Sequence, residues 1–316
     1  MALPASEILA NSWTSAAPGY DELFVPRFAP WTDDALAQLG AHADSLPEGA
    51  ILVPCCGPGQ ELAPIAALLP DRTILGTDLA PGMVAIAQAR CDALNAAAAA
   101  AAAGDEGAGA GAAAAAAPKR RLFAAVGDAM DLTDLTAAGP GAAAADSAAA
   151  PTPPYAAILS VFGLQQLPDQ AAAIAAWVRA LAPGGVAVVV YWPMGAGVED
   201  SGPWKHWGRL LKAALGDGAA RRGTAGWEDA LAGAAEAAGA EVLVNNERLP
   251  HRIEWPSPDA MWEGMTRSGP WHAQRERRGD EFVDGLREAF VAPYSPGEPV
   301  AHRPAGRLLV LRRKKE

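Results

Sequence analysis

The feature that most constrains the fold is a regular alternation of short apolar runs with stretches of helical periodicity. The apolar runs predict β-strands at residues 50–54, 73–77, 122–126, 155–161 and 186–192. The helical patterns between them fall at residues 59–69, 81–94, 132–135 and 170–181. Strands that alternate with helices pair in parallel, so we expect a doubly wound α/β sheet that binds its ligand at the carboxyl ends of the strands.

Two segments outside this alternation add to the predicted sheet and its cover. Apolar runs at residues 240–246 and 306–313 predict two further strands. The N-terminal segment is rich in aromatic residues and predicts helices that lean on the sheet. We therefore expect N-terminal cap helices over residues 1–49 and a single domain over residues 50–316.

Three regions of that domain are predicted to be insertions. Residues 95–118 and 136–154 are tracts of Ala, Gly and Pro, and are predicted to be surface loops because they have few side chains to pack. Long loops of this kind are tolerated, since the entropy of loop closure grows slowly with length. A helical lid is predicted within residues 193–235 and 256–297, which are rich in tryptophan.

Composition excludes several classes of protein. With 316 residues, of which 51% are hydrophobic, the chain can bury a large core. A net charge of −11 argues against a nucleic-acid-binding face, which needs basic residues to replace counterions on phosphates. No run of eighteen strongly apolar residues predicts a membrane span, and the N-terminus resembles neither a secretory signal nor a transit peptide. We expect a cytoplasmic protein whose partner is a small molecule; its oligomeric state is left open.

The stretch "ILVPCCGPGQ", residues 51–60, predicts a turn from strand to helix that is built to approach a ligand. Gly57 and Gly59 allow the backbone to pass close to the ligand, and the amides of the following helix face it. Asp78 lies about twenty residues further on, at the end of the second strand, where an acid accepts hydrogen bonds from ribose hydroxyls. The neighbouring Cys55 and Cys56 are predicted to be small buried hydrophobes, and no metal site is predicted.

Two positions distinguish between nucleotide-type ligands. A dinucleotide fingerprint requires a third glycine, and Leu62 stands in its place. Asp128 follows the third strand and precedes Ala129 and Met130, which suits the edge of an adenine ring, with Met130 and Met83 against its faces. NAD and FAD are therefore disfavoured.

The ordered series of motifs resembles the class I S-adenosylmethionine-dependent methyltransferases, in particular the small-molecule branch of ubiquinone/menaquinone type. The segments that carry the resemblance are "ILVPCCGPG", "GTDLAPGMVAIAQAR", "GDAMDL", "YAAILSVFGLQQLPD" and "LAPGGVAVVVYW". They cover roughly residues 50–192, and the last two strands resemble strands six and seven of the family. The resemblance implies a Rossmann-like seven-stranded sheet with an antiparallel last strand and helical cap insertions.

The same resemblance implies a cofactor and a set of residues that bind it. The cofactor is S-adenosyl-L-methionine, and the activity is methyl transfer to a small, apolar or aromatic acceptor. The implied cofactor-binding residues are Pro54, Cys55, Gly57, Gly59, Asp78, Leu79, Met83, Asp128, Ala129, Met130, Ser160 and Phe162.

Two departures from the family pattern leave alternatives open. Val53 replaces the acid of the first motif, and Gln165-Gln166 replaces a pair of histidines that lies near the methyl group. A catalytically silent, methyltransferase-like protein that serves binding or assembly is one alternative. A Rossmann-type enzyme that uses a nicotinamide cofactor is another, which Leu62 and Asp128 disfavour.

The acceptor side is predicted from the aromatic C-terminal region and the N-terminal cap. The predicted acceptor-binding residues are Tyr20, Gln165, Trp192, Trp204 and Trp207. Tyr20 is expected to close the pocket from the N-terminal side. The catalytic base is not identified, and His206, His272 and Tyr20 are the candidates. The competing interpretation is that the tryptophans form the core of a helical subdomain.

Overall fold

The computed structural model describes residues 5–105, 121–132, 151–193, 202–215 and 226–315. The strands are β1 (Ile51–Pro54), β2 (Ile74–Asp78), β3 (Leu122–Val126), β4 (Tyr155–Val161), β5 (Leu181–Tyr191), β6 (Ala240–Arg248), β7 (Ile253–Trp255), β8 (Val300–His302) and β9 (Arg307–Arg313). The helices are α1 (Ala5–Leu23), α2 (Val25–His42), α3 (Leu62–Leu68), α4 (Pro81–Asp105), α5 (Gln170–Ala180), α6 (Gly202–Leu215), α7 (Leu231–Ala237), α8 (Pro258–Met265), α9 (Gly269–Arg278) and α10 (Asp280–Val291).

Seven strands form one twisted sheet in the order β3-β2-β1-β4-β5-β9-β6. The pairings from β3 to β5 are all parallel, whereas β9 lies antiparallel between β5 and β6. The chain reverses its order beside β1, so the carboxyl ends of β1, β2 and β4 meet at one edge of the sheet. The predicted fold class is confirmed, including the antiparallel last strand.

The sheet is buried on both faces, which is why its central strands are continuous apolar runs. All seven residues of β4 are buried, and β5 is buried except at one position. One face packs against α2, α3, α4 and the cap around Trp31, and the other packs against α5 and α7 around Trp177. Among the described residues, no helix combines the length and the hydropathy needed to cross a bilayer.

Helix α4 is longer than the sequence pattern predicts. It continues to Asp105, so residues 95–105, predicted as part of a loop insertion, are helical. Alanine has the highest helix propensity of any residue, and an exposed alanine tract extends a helix that has already begun. Asn95 explains where the packed part of the helix ends: its side chain bonds to the backbone of Arg121 and Leu122 at the start of β3. Residues 106–120 and 133–150 lie outside the described part of the chain, and so does most of the predicted short helix at 132–135.

The segment predicted as a lid divides into two structural parts. Residues 226–237 do not cover the pocket, because α7 packs beside α5 on the sheet and buries Leu231 and Ala235 there. Helices α6, α8, α9 and α10, with the β7–β8 pair, form a separate helical cap. Residues 194–201 and 216–225 of the predicted lid are not among the described residues.

The cap contains a group of packed aromatic rings. Trp207 of α6 is 4% exposed, and its ring lies 4.9 Å from that of Trp262, 5.2 Å from that of Trp271 and 5.3 Å from that of Phe290. Trp204 stacks on His302, with ring centroids 5.2 Å apart. Helix α6 turns these two rings toward α8, α9, α10 and β8. That Trp204 and Trp207 contact the acceptor stays a prediction, and this packing favours the competing interpretation that they are core residues of the cap.

Replacing Trp207 with alanine is expected to lower the free energy of unfolding by about 3–5 kcal/mol, since it opens a cavity among packed rings. Urea denaturation followed by circular dichroism measures the loss. Leu94→Ala on α4 is the control: Leu94 is 37% exposed, and its loss should cost less than about 0.5 kcal/mol. A folded Trp207→Ala variant of wild-type stability would contradict the placement of this ring in the core.

Candidate cofactor pocket

A pocket lies where β1, β2, β3 and β4 end, and α1 covers it. It is lined by the loop after β1, the residues that follow β2 and β3, the end of β4 and one side of α1. The lining residues are Leu9, Ala10, Trp13, Tyr20, Cys55, Gly57, Gln60, Asp78, Leu79, Ala80, Met83, Gly127, Asp128, Ala129, Val161, Phe162, Gly163, Gln166 and Leu167.

The floor of the pocket is the glycine loop, residues 55–60, between β1 and α3. Gly57 has φ +54°, and a Cβ at this position would meet no atom closer than 3.9 Å, so the backbone presents an open surface to the pocket. Gly59 has a different role: its φ is +80°, and a Cβ there would lie 2.9 Å from the Cβ of Ala87 on α4. The first glycine leaves room for a ligand, and the second lets the loop pack under α4.

Asp78 at the end of β2 holds the glycine loop and faces the pocket. Its Oδ2 accepts a hydrogen bond of 3.0 Å from the amide of Gly57, and its Oδ1 accepts one of 2.9 Å from the amide of Ala80. Burial raises the pKa of Asp78, and the amide hydrogen bonds oppose that rise. A carboxylate has about four lone-pair sites, and the amides of Gly57, Leu79 and Ala80 bond to this one, so acceptor capacity remains for a ligand hydroxyl.

Asp128 follows β3 and forms the side of the pocket next to Asp78. Its Oδ1 accepts a hydrogen bond from the amide of Met130, which fixes the turn and leaves the side chain exposed. Ala129 is held from behind, since its carbonyl accepts a hydrogen bond from Nε1 of the buried Trp177. The turn therefore offers an acid beside a small apolar residue, a combination that suits the polar edge and flat face of a purine.

The end of β4 forms the wall opposite Asp128. Phe162 has φ +58°, a left-handed conformation that is uncommon for a bulky residue and marks a constrained position. Its ring stacks on that of Trp192 at 3.9 Å and 6°, and Phe28 of α2 contacts its edge. This arrangement fixes an aromatic wall, in which Phe162 faces the pocket and Trp192 supports it from behind.

Helix α1 closes the pocket through Tyr20, and two of its attachments lie beside the pocket, while elsewhere the helix packs on α9. Tyr20 lies over the glycine loop, and its ring comes within 3.9 Å of the position that a Cβ of Gly57 would take. The amide of Gly82 donates a 3.2 Å hydrogen bond to the hydroxyl of Thr14 on α1. Burial raises the pKa of Tyr20, and the carboxylates of Glu61 and Asp78 raise it further.

The second attachment is the Asp21–Arg90–Pro58 bridge. Arg90 of α4 donates two hydrogen bonds from Nη2 to the Asp21 carboxylate of α1, at 2.7 and 2.8 Å. Its Nη1 donates a 2.7 Å bond to the carbonyl of Pro58 in the glycine loop. The guanidinium of Arg90 therefore links both α1 and the glycine loop to α4. Lysine could not do this, because its single ammonium lacks the planar, divergent N–H donors of arginine.

Glu61 is a buried acid directly beside the loop. It is 1% exposed, and its Oε1 accepts a 2.7 Å hydrogen bond from the side chain of Gln60. Burial raises the pKa of Glu61 to about 8; the hydrogen bonds from its own amide and from Gln60, and the charge of Arg90, oppose this rise.

Sequence comparison does not identify a relative, and comparison of folds finds solved structures of low similarity. No protein-family model matches this chain, and no curated protein matches it in sequence. The YcgJ protein from Bacillus subtilis is 12% identical, with a TM-score of 0.48, over 90% of this chain and all of that one. A magnesium protoporphyrin IX methyltransferase from Synechocystis was solved with bound S-adenosylhomocysteine. It is 12% identical, with a TM-score of 0.44, and the alignment covers 90% of this chain and 82% of that chain.

A phosphoethanolamine N-methyltransferase from Haemonchus contortus is a third similar structure. It is 16% identical, with a TM-score of 0.46, and the alignment covers 89% of this chain and 52% of that chain. Such low identities and scores concern the fold and carry no conclusion about substrates. The strand order, with β9 antiparallel between β5 and β6, is the one that the sequence resemblance implies. The chain has the Rossmann-like seven-stranded sheet that the resemblance implies. The narrower resemblance to the ubiquinone/menaquinone-type branch stays a prediction.

This fold brings most of the residues that were predicted to bind a cofactor into one pocket. Those that line it are Cys55, Gly57, Asp78, Leu79, Met83, Asp128, Ala129 and Phe162, together with Tyr20. The other four support it from outside the lining. Ser160 is fully buried and donates to the carbonyl of Pro54, joining the ends of β4 and β1. Gly59 packs on α4, and Met130 packs below the Asp128 turn.

The predicted acceptor and base residues are distributed differently. Gln166 lines the pocket, whereas the adjacent Gln165 points away, bonding to the carbonyl of Phe162 and the amide of Trp192. His206 lies in the cap, with Nε2 3.1 Å from the carbonyls of Ala289 and Phe290. His272 of α9 is half-buried and is not among the residues that line the pocket. Burial, and to a smaller extent the charge of Arg275, lowers its pKa. Neither histidine stands at the pocket in the described structure.

Sequence reasoning predicted that Tyr20 closes the pocket, but it missed the other residues of α1 and the residue that follows the glycines. Leu9, Ala10 and Trp13 line the pocket from α1, and Gln60 lines it from the glycine loop. The spacing of Leu9, Trp13 and Tyr20 at intervals of four and seven residues was the available signal, since it places all three on one face of a helix. Which surface that face covers is decided only by packing.

Replacing Arg90 with methionine is expected to loosen α1, since it removes both bonds to Asp21 and the bond to Pro58. Hydrogen–deuterium exchange of the α1 amides should become about five- to tenfold faster, while exchange in the sheet is unchanged. Arg275→Met is the matched control: Arg275 makes a comparable pair of bonds to Asp280 and Asp284 within the cap. Equal exchange of α1 in the Arg90 variant and the wild type would show that the bridge does not hold the helix.

The raised pKa of Glu61 predicts a pH-dependent stability. Between the usual pKa of a glutamate and about 8, the folded protein holds a proton that the unfolded chain releases, so the free energy of unfolding falls as pH rises through this window. Glu61→Gln removes this pH dependence from the ligand-free protein. The free energy of unfolding of the variant minus that of the wild type should therefore be larger at pH 8 than at pH 5, by roughly 2–4 kcal/mol.

Urea denaturation at pH 5, 6.5 and 8 measures the difference between the two proteins. The other ionisable groups titrate alike in the two proteins, so the difference between their stabilities at each pH reports on Glu61 alone. Parallel stability curves would show that Glu61 is ionised in the folded protein.

Proposed function

We propose that this protein transfers a methyl group from S-adenosyl-L-methionine to a small apolar or aromatic molecule. The observation that carries the proposal is the position of Asp78, which combines a half-buried carboxylate at the end of β2 with the open backbone of Gly57. An acid at this place is suited to ribose hydroxyls, because it lines the pocket and backbone amides already fix its orientation. The adjacent Asp128 turn supports an adenine ring at the next strand.

The pocket favours one nucleoside with a short extension over a dinucleotide. Leu62 begins α3, is buried, and its Cδ1 lies 3.0 Å from the position that a Cβ of Gly59 would take. It fills the space that a third glycine leaves open in dinucleotide-binding sheets. Tyr20 then covers the glycine loop, where a pyrophosphate would have to pass.

S-adenosyl-L-methionine supplies a methyl group on a positively charged sulfur, which is already activated for transfer. The work of the protein is therefore to position the acceptor, align it and exclude water. Phe162 and Val161 give an apolar wall at the end of β4, and Tyr20 covers the site from α1. Phe28 and Trp192 fix the angle of the Phe162 ring, so the wall is rigid before an acceptor binds.

The side chains around the pocket favour an acceptor that needs little help from a base. Of the described residues that line it, none is a histidine. Tyr20 stays protonated at neutral pH because its pKa is raised, so its hydroxyl donates a hydrogen bond and does not remove a proton. A carbon, sulfur or amine nucleophile, or an acidic phenol, requires only orientation and desolvation. The net charge of −11 favours a neutral or cationic acceptor.

The proposed ribose contact is tested by Asp78→Asn, which keeps the shape of the side chain and loses its charge. Hydrogen bonds to a charged group contribute about 1.5–3 kcal/mol each, so the affinity for S-adenosylhomocysteine should fall at least tenfold. Isothermal titration calorimetry measures the affinity, and the thermal midpoint reports that the variant is folded. Asp71→Asn, at an exposed acid in the turn before β2, is the control and should bind like wild type.

Activity is tested separately with S-adenosylmethionine that carries a labelled methyl group and an extract of small metabolites. We expect label to enter a small apolar product. Unaltered S-adenosylhomocysteine affinity in Asp78→Asn would contradict the cofactor assignment. Tight cofactor binding without any labelled product across a broad metabolite set would favour the silent binding protein instead.

A further inference from the structure

The helical cap reaches the pocket indirectly, through the ring of Trp13 on α1. Trp13 lines the pocket, whereas none of the described residues that line it belongs to α9. A Cβ at Gly269, the first residue of α9, would lie 2.5 Å from Cδ2 and 2.8 Å from Cε2 of the Trp13 ring. Carbon atoms in ordinary contact are about 3.5–4.0 Å apart, so the ring occupies the space that a side chain at position 269 would need. The backbone of Gly269 is therefore the support behind a ring that faces the pocket.

The start of α9 is anchored in the cap. Trp271 is 6% exposed, and its ring lies 5.2 Å from that of Trp207 in the aromatic group of the cap. The hydroxyl of Ser268 donates a 2.9 Å hydrogen bond to the carbonyl of Met265 at the end of α8, and the carbonyl of Ser268 accepts one of 3.0 Å from the amide of Trp271. A movement of Gly269 away from α1 would therefore disturb the packing of the cap.

Helix α1 is anchored on the other side of the Trp13 ring. The hydroxyl of Thr14, the next residue, accepts a 3.2 Å hydrogen bond from the amide of Gly82 at the start of α4. Trp13 also packs against Ala80 and Met83, which are 1% and 2% exposed, so that side is closed. Because both backbones are fixed and the packed side is full, a ring that is pushed from α9 turns toward the pocket.

We propose that Gly269 is a positioning residue for ligand binding, which lets Trp13 lie back against α9 and keeps the α1 side of the pocket open. A ligand in the pocket holds the ring in that position, so ligand binding and the rigidity of α9 are coupled in both directions. The proposal rests on the proposed function, which supplies the ligand. It gives the cap an effect on cofactor affinity, although α9 does not line the pocket.

A double-mutant cycle between Gly269 and Trp13 tests the proposal. Calorimetry on the full chain measures the affinity for S-adenosylhomocysteine of wild type, Gly269→Ala, Trp13→Ala and the double variant, and thermal midpoints report that each is folded. Gly269→Ala should bind about tenfold more weakly than wild type, because the new methyl group drives the ring into the pocket. In the Trp13→Ala background the ring is absent, so Gly269→Ala should change the affinity by less than about twofold.

Gly285→Ala on α10 is the matched control. A Cβ at Gly285 would meet nothing within 4 Å, so this substitution should leave the affinity unchanged. Hydrogen–deuterium exchange of the wild type tests the coupling without any change at position 269. Saturating S-adenosylhomocysteine should slow exchange of the α9 amides at least about threefold and leave α7, on the other face of the sheet, unaffected. In Trp13→Ala, exchange of α9 should not respond to the ligand.

Three results would overturn the proposal while the cofactor assignment stands, provided that wild type binds S-adenosylhomocysteine. They are an unchanged affinity in folded Gly269→Ala, an equal loss with and without the Trp13 ring, and exchange of α9 that is the same with and without the ligand. Failure of S-adenosylhomocysteine to bind wild type would overturn both this proposal and the cofactor assignment.

Discussion

The hydrogen bonds that Asp78 accepts from Gly57 and Ala80 are the interaction on which the rest of the site depends. They join the end of β2 to the loop after β1 and to the start of α4, so three elements that are distant in sequence share one carboxylate. Because these backbone amides are buried near the sheet edge, they need an acceptor, and Asp78 is the one that reaches both. The loop is thereby held open at Gly57 and closed at Gly59, where α4 packs against it. A ligand that bonds to Asp78 meets a carboxylate already fixed in place.

Aromatic side chains form the contacts that hold the helices outside the sheet together. Tyr20 of α1, Phe24 between the helices and Phe28 of α2 follow one another along the chain. Phe28 contacts the Phe162–Trp192 stack, in which Phe162 follows β4 and Trp192 follows β5. The rings of the cap around Trp207 and Trp262 form a second group within the same continuous core. The two clusters have different consequences: the first ends at the pocket and shapes its wall, and the second holds the cap together. The tryptophan-rich composition of the C-terminal half therefore reflects stability more than acceptor recognition.

The electrostatics of the pocket differ between its two ends. Asp78 is half-buried and Glu61 is buried beside the glycine loop, and burial raises the pKa of each. Their proximity also keeps Tyr20 protonated. The end near Phe162 is apolar by contrast. A cationic sulfur between these ends would have carboxyl groups on one side and aromatic rings on the other. This arrangement suits transfer of the methyl group to an acceptor that lies on the aromatic side.

The sequence by itself determined the sheet. The apolar runs predicted β3 and β4 with their observed bounds, because strands buried on both faces are continuously apolar. Strands β1, β2, β6 and β9 agree within two residues, whereas β5 begins at Leu181, five residues before its predicted start. The glycine loop, Asp78 and Asp128 were also readable, since turn geometry and strand-end position fix those residue types locally. The helical run from Asn95 to Asp105 was missed because low complexity was taken to mean loop, although alanine favours helix wherever a helix has begun.

Only the tertiary structure decided where the side chains of helices point. Nothing in the pattern around Trp207 or His206 distinguishes a ring that faces a ligand from one that faces α8 and α10, because both require an apolar helix face. The same is true of Gln165 and Gln166, of which one is turned to the backbone and the other to the pocket. The buried carboxyl of Glu61 reads in sequence as an ordinary acid near a helix start. Its burial is a property of the elements around it, and periodicity within one segment carries no information about what that segment is packed against.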